Sequence, residues 1–156
     1  MGSISTFPDF IDALRTALAA RSGMSGVTVW TGPVDAEAMG VKSVVFASGE
    51  VSAGVAQPMM GGLEHFENYP VDGEIWVTYP GAGETSIAGA RDLAFDILEE
   101  VYDYMAGLTS TAATIAAVTV DKVDLSGWTL AQWPEQGERH CRLKFSIEAR
   151  GRFTPA

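Results

Sequence analysis

The feature that most constrains the fold is a strict alternation of apolar and polar residues from His140 to Phe153. Successive side chains of a β-strand point to opposite faces of a sheet, so this pattern predicts one long strand. Its apolar side consists of Cys141, Leu143, Phe145, Ile147 and Ala149, and its polar side of His140, Arg142, Lys144, Ser146, Glu148 and Arg150. We expect a sheet with one face in the core and the other face charged.

Two helices are predicted. Thr6 stands at an N-cap position before Pro8 and Asp9, and an apolar stripe at helical spacing then runs up to Gly23. The second helix is expected to begin at a cap formed by Thr85 or Ser86 and to end at Gly107. Its apolar stripe is Ala90, Leu93, Ala94, Ile97, Leu98, Val101 and Met105, and its acidic side is Asp92, Asp96, Glu99, Glu100 and Asp103.

Short apolar runs between turn residues predict the remaining strands, at residues 27–30, 42–47, 63–69, 74–79 and 115–125. We expect a turn at Val71-Asp72-Gly73, and a turn-like stretch containing Trp128, Trp133 and Pro134. Residues 49–62 have no periodicity and predict a long loop, of the kind that is functional or disordered. The fold class is therefore α+β, a single domain over residues 1–156, with a mostly antiparallel or mixed sheet of about five to six strands and two helices on one face.

Composition fits this prediction. The chain has 156 residues, 47% of them hydrophobic and 19% charged, which is typical of one globular domain. A single cysteine, Cys141, excludes an intrachain disulfide. We expect no signal peptide, because the first residues have no basic region followed by an apolar one, and we expect a soluble protein made in the cytoplasm with no membrane partner.

Charge is distributed unevenly. The net charge is −10, which argues against a protein that binds nucleic acid through its phosphates. Residues 139–156 nevertheless hold five of the ten basic residues and only one of the twenty acidic ones. An acidic body with a basic closing strand can attract other copies of itself if the two surfaces meet, although an ordinary solvated strand face explains the pattern equally well.

No motif in the chain matches an enzyme. The turn Gly81-Ala82-Gly83-Glu84-Thr85-Ser86 lies where a dinucleotide-binding loop would, but it lacks the third glycine and places Glu84 at the phosphate position. Glu64, His65 and Glu67 cannot all converge on a metal ion from one strand. Cys141 is on the apolar side of its strand, and the paired acids of the long helix fit a solvated face. We expect no catalytic residues, no metal and no cofactor.

The tryptophans are candidates for an interface. Trp30 and Trp76 lie on predicted strands and are expected in the core, whereas Trp128 and Trp133 precede the last strand and suit a protein–protein contact. Together with the basic strand and the loop, they give a predicted interface of eight residues: Arg142, Lys144, Arg150, Arg152, Met59, Met60, Trp128 and Trp133.

The order of these elements resembles the tail terminator (tail completion) proteins of long-tailed bacteriophages. The resemblance covers about residues 7–153. It rests on the amino-terminal helix and on four segments: Val27-Thr28-Val29-Trp30-Thr31-Gly32-Pro33, Ile75-Trp76-Val77-Thr78-Tyr79, Ala90-Arg91-Asp92-Leu93-Ala94-Phe95-Asp96-Ile97-Leu98 and Leu143-Lys144-Phe145-Ser146-Ile147-Glu148-Ala149-Arg150-Gly151-Arg152. It implies a virion protein at the head-proximal end of the tail, assembled in the host cytoplasm, which forms a hexameric ring, caps the major tail-tube protein, stops its polymerisation and contacts the head–tail connector or stopper protein. DNA would only pass through the channel.

Two expectations follow for this chain. Arg142, Lys144, Arg150 and Arg152 are expected to pair with acidic residues of a neighbouring subunit, and residues 49–62 are expected to order on contact with the tube or the connector. The alternatives are another neck or head–tail connector protein, and a small-molecule or nucleotide-binding domain that uses residues 81–86.

Overall fold

The computed structural model describes residues 5–47, 49, 55–56, 65–111 and 113–153. Two α-helices are present in this part of the chain, α1 (Phe7–Ala19) and α2 (Glu84–Thr111), with short 3-10 turns at Ser22–Met24 and Ala36–Ala38. The strands are β1 (Thr28–Trp30), β2 (Lys42–Phe46), β3 (Val55–Ala56), β4 (His65–Pro80), β5 (Thr114–Ile115), β6 (Val118–Glu135) and β7 (Glu138–Phe153).

The described strands form one mixed sheet in the order β1-β2-β4-β7-β6-β5, with β3 added beside β4. Only β1 and β2 run parallel, and the other pairs are antiparallel. Both helices contribute to a single hydrophobic core: Phe10 of α1 stacks on Tyr69 of β4, and Val101 of α2 is buried in the same cluster. The α+β prediction is confirmed, with two of the seven strands only two residues long.

Strand β7 has the alternation that the sequence predicts. Cys141, Leu143, Phe145, Ile147 and Ala149 are all buried, and Gly151 and Phe153 continue the series. Fully burying each large apolar side chain stabilises the fold by roughly 1.5–3 kcal/mol. The predicted stripe of α2 is also buried, except for Leu93, which is half-buried. Leu108 is buried as well and extends the stripe by one turn.

Strand β4 corrects one prediction. The expected turn at 71–73 does not exist, because residues 65–80 form one continuous strand paired along its whole length with β7. Val71 and Gly73 lie on the buried face between Tyr69 and Ile75. Gly73 is needed there for packing: a Cβ on it would lie 2.7 Å from the Val45 carbonyl oxygen and 2.9 Å from Phe145 Cζ. The glycine marks a close approach of other atoms to the strand.

Strand β6 corrects a second prediction. Trp128, Trp133 and Pro134 are part of this strand, which pairs with β7 as far as Glu135. The chain reverses at Gln136 and Gly137, which both have positive φ (49° and 77°), as the two central residues of a type I′ hairpin turn require. Beyond Lys122 most residues of this strand are exposed.

The helix ends also differ from prediction. Helix α1 ends at Ala19, before Gly23. Helix α2 begins at Glu84 after Gly83, whose carbonyl accepts the Ile87 N–H at 3.0 Å, so neither Thr85 nor Ser86 is the cap. It continues past Gly107, because burial of Leu108 outweighs the helix-terminating tendency of a glycine.

The start of α1 is held by a residue distant in sequence. Thr6 stands at the N-cap position, but its hydroxyl hydrogen-bonds the Tyr69 hydroxyl and does not cap the helix. Glu67, only 1% exposed, accepts hydrogen bonds from the Ser5 hydroxyl and from the Thr6 N–H (3.3 Å). A carboxylate at this end is favourable because the helix dipole is positive there.

Residues 49–62 lie mostly outside the described residues, and the expectation that they order on contact stays a prediction. Within them, Val55 and Ala56 form β3 against Glu67 and Phe66. That part of the predicted loop is therefore strand.

Candidate interaction surface

The face of the sheet turned away from the helices, here called the open face, is the region where most of the predicted interface residues lie. It presents the even-numbered residues of β4 and β7 and, from the β6–β7 register, Lys122, Asp124, Gly127, Thr129, Ala131 and Trp133 of β6. A groove of about 590 Å³ runs across its middle, between Asp72 and Glu74 on one side and Gly127 and Thr129 on the other.

Antiparallel pairing puts acids beside three of the five basic residues of β7. Lys144 Nζ lies 3.6 Å from Glu74 Oε1, and Arg150 Nε donates to Asp121 Oδ1 at 2.8 Å. Arg152 Nε lies 3.9 Å from the other oxygen of Asp121. Such exposed pairs stabilise a fold by at most about 1 kcal/mol each, but they balance the positive charge of the strand within the same chain.

Four residues at the hairpin end of the open face form a cluster, here called the aromatic cluster: Trp76, Trp133, His140 and Arg142. The Trp133 ring stacks on His140, with centroids 5.7 Å apart and planes 13° from parallel, and meets Trp76 edge-on at 5.9 Å. The Arg142 guanidinium lies 5.6 Å from the Trp76 ring centroid, a cation–π contact. Trp76 is thus a half-buried residue of the open face, and the expectation that it belongs to the core was wrong.

Arg142 differs from Lys144, Arg150 and Arg152. It has no ion pair within the described part of the chain, and its buried Nε has no hydrogen-bond partner there. The cation–π contact holds the side chain in place without neutralising its charge. No acid of the described residues neutralises the Arg142 guanidinium, so a carboxylate of another molecule could pair with its charge.

His140 joins the aromatic cluster to acids of the hairpin. Its Nε2 lies 3.7 Å from Glu135 and 3.6 Å from Glu138, and its Nδ1 lies 3.3 Å from the Thr78 hydroxyl. These contacts fix the ring against Trp133 and complete the polar rim of the cluster.

The other predicted interface residues are not brought together. Trp128 points to the helix side of the sheet, where its ring meets Phe95 of α2 edge-on at 5.0 Å and stays 54% exposed. Met59 and Met60 lie outside the described residues. Arg150 and Arg152 sit at the opposite end of β7 from Trp133.

The sequence prediction missed Trp76, Glu74 and Asp121. For the first two a signal was available, since Glu74, Trp76 and Thr78 alternate with the apolar residues Ile75 and Val77. No sequence pattern indicates Asp121, because a bulge between Val120 and Lys122 sets its position.

The outer side of α2 is acidic, as predicted. Asp92, Asp96, Glu99 and Asp103 are exposed, and a shallow groove beside Gly23 is lined by the last three and Glu100. Arg21 pairs with Glu100 at 2.9 Å. The remaining acids leave this surface strongly negative.

The candidate nucleotide turn is occupied by its own side chains. Gly81 (φ 97°) donates its N–H to the Gly137 carbonyl at 3.1 Å, and a Cβ on Gly81 would lie 2.6 Å from Ser86 Oγ. The Ser86 hydroxyl therefore packs directly against Gly81.

Metal and thiol chemistry have no site among the residues described. No group of three or more His, Cys, Asp or Glu residues within this part of the chain could hold a metal ion. Glu67 faces α1, and His65 lies against the Phe153 ring. Burial raises the pKa of the Cys141 thiol to about 11, which keeps it protonated at neutral pH.

No helix of the described chain combines the length and apolar character needed to cross a bilayer.

Comparison with known proteins gives a likeness of fold. No protein-family model and no curated protein matches the sequence. One solved structure, described as "Virion of native gene transfer agent (GTA) particle", contains a chain similar to this one with a TM-score of 0.62 at 13% sequence identity. The match covers 96% of this chain and 99% of that chain. Two chains of almost the same extent therefore share one fold over nearly their whole length.

Proposed function

We propose that this chain is a structural protein of a phage-like virion, and that it acts as a tail terminator. In this role it caps the tail tube, stops polymerisation of the tube protein and forms the surface that joins the tail to the head connector. The observation that carries the proposal is the full-length likeness to a chain of a gene transfer agent virion. The resemblance of the sequence pattern to tail terminators is what suggests the specific role.

The proposed mechanism is binding between subunits. A closed ring needs two different complementary surfaces on each copy. The aromatic cluster with Arg142 and the acidic outer side of α2 lie on opposite sides of the chain, so a head-to-tail contact between them is geometrically consistent with a ring. Among the four basic residues expected to make this contact, Lys144, Arg150 and Arg152 already have acids beside them, which concentrates the proposal on Arg142.

The acids of α2 that the subunit contact leaves exposed would suit a channel through which DNA passes. Helix α2 has six acidic residues and one basic residue. Like charge prevents a duplex from adhering to the channel wall. A ring whose channel was lined mainly by Lys or Arg would contradict this part of the proposal.

The test uses tubes assembled from the cognate major tail-tube protein. Adding this chain should stop elongation and place a ring at one tube end, both visible by negative-stain electron microscopy. Arg142→Gln should weaken ring formation about tenfold or more, whereas Lys144→Gln, a matched loss of charge on the same strand, should weaken it much less.

Tubes that elongate unchanged, with the chain binding only the connector, would instead indicate another neck protein. Stabilisation in a thermal shift assay by a nucleotide would favour a ligand-binding domain at residues 81–86, because a ligand at 100 times its dissociation constant adds roughly 2.7 kcal/mol.

A further inference from the structure

The two outer edges of the sheet differ in how they are covered. At one end, the β1 edge is closed by α1, because Arg15 Nε donates to the Val29 carbonyl at 3.0 Å. At the other end, β5 covers β6 only at Val118 and Thr119. From Val120 to Glu135 the outer edge of β6 has no strand partner among the described residues.

This uncovered edge has two unlike halves. The first half has register shifts at Val120/Lys122 and Leu125/Gly127, and it has charged residues at Asp121, Lys122 and Asp124. Bulges and charges are the features that keep edge strands from pairing with other chains. The second half, residues 127–133, has no charge, no proline and no register shift, and we call it the bare edge.

We propose that the bare edge pairs with the bare edge of a second copy of this chain, antiparallel and about a two-fold axis at Leu130. A second copy fits because its edge is identical and uncharged, so no like charges meet across the axis. The backbone N–H and C=O groups of both edges would then be satisfied by each other, as in β-strand addition.

The side chains fit this register. It sets Gly127 opposite Trp133, Trp128 opposite Gln132 and Thr129 opposite Ala131. A side chain at Gly127 would meet nothing within 4 Å, and the open-face groove lies directly above it, so there is space for the partner's Trp133. Pairing would also cover Trp128, which is 54% exposed.

This pairing goes beyond the proposed function and does not rest on it. An isologous pair closes at two copies, whereas a ring uses head-to-tail contacts. The proposed pair is therefore a separate state of the protein, in which the bare edge is covered.

Single-cysteine variants test the register. Leu130→Cys places two thiols beside each other at the axis, and oxidation should crosslink the protein into a dimer. In Gln132→Cys the two thiols would be about 14 Å apart, at roughly 3.4 Å per residue, too far for a disulfide. The native Cys141 is buried and does not compete. A crosslink in neither variant, or in Gln132→Cys alone, would overturn the proposal.

Sedimentation velocity supplies a second test with intact strands. The unmodified chain should show a concentration-dependent monomer–dimer equilibrium, with amide exchange slowed at residues 127–133 in the dimer. Thr129→Lys should weaken the dimer about tenfold or more, whereas Thr28→Lys, on the covered β1 edge, should leave it unchanged. A monomer at all concentrations, or equal effects of both variants, would refute the pairing.

Discussion

The sheet and helix α2 each bury one side in the same core, but the charges on their outer sides are arranged differently. On the open face, β4, β6 and β7 interleave residues of both signs, and antiparallel register sets Lys144 beside Glu74 and Arg150 near Asp121. On α2 the acids lie three or four residues apart on one surface, with little positive charge between them. Pairing of strands can therefore neutralise charges that are far apart in sequence, whereas the charge on a helix surface is set by the residues of that helix alone.

The largest expected effect is a loss of folding stability at high pH, caused by two buried groups of the sheet. Burial raises the pKa of Tyr69 to about 12 and that of Cys141 to about 11. The folded state holds both protons more tightly than the unfolded state, so their contribution is complete below pH 9 and is lost as the pH rises from about 9 to 12.

We expect the free energy of unfolding to fall by a few kcal/mol over this range, since each unit of pKa shift corresponds to about 1.4 kcal/mol. Urea unfolding at a series of pH values measures it. Tyr69→Phe removes one of the two titrating groups and should reduce the fall. An unchanged stability between pH 9 and 12 would contradict the burial of these groups.

The second prediction compares one glycine of the sheet with one of α2. Gly73→Ala forces atoms of Val45 and Phe145 to move and should destabilise the fold by about 1–3 kcal/mol. Gly107→Ala has nothing within 4 Å of the new Cβ and lies inside a helix, so it should stabilise by about 0.5–1 kcal/mol. Chemical denaturation of the two variants measures both changes in the free energy of unfolding. If Gly73→Ala also stabilised the protein, Gly73 would not be closely packed.

The third prediction concerns exposed charge and has the smallest effect. Asp121→Asn removes a pair from the open face and should destabilise by about 0.2–1 kcal/mol. Glu99→Gln relieves like-charge repulsion with Asp103 on α2 and should stabilise by about 0.2–0.5 kcal/mol. Both changes should shrink in high salt. If Asp121→Asn stabilised the protein, the ion pair between Asp121 and Arg150 would not contribute to the stability of the fold.

Much of the fold could be predicted from local pattern. The alternation at His140–Phe153 identified which residues of β7 are buried, and the stripe of α2 identified its core side. The candidate site was predicted less well. The structure brings Arg142 and Trp133 to one surface, together with Trp76, which was assigned to the core, whereas Trp128 lies on the opposite side of the sheet. The acids that face Lys144 and Arg150 come from other strands, and their pairing depends on register.

The sequence by itself determined the period of each long element, because side-chain direction repeats every two residues in a strand and every 3.6 in a helix. What lies beside each face depends on how the elements pack together. Gly73 was expected in a turn but packs against Phe145 within β4. Glu67 was considered as a metal ligand, but its carboxylate lies at the start of α1. In the sequence the positive charge of β7 has no acids beside it, and in the folded chain acids of β4 and β6 lie next to it. These outcomes depend on contacts between residues tens of positions apart, which no local pattern records.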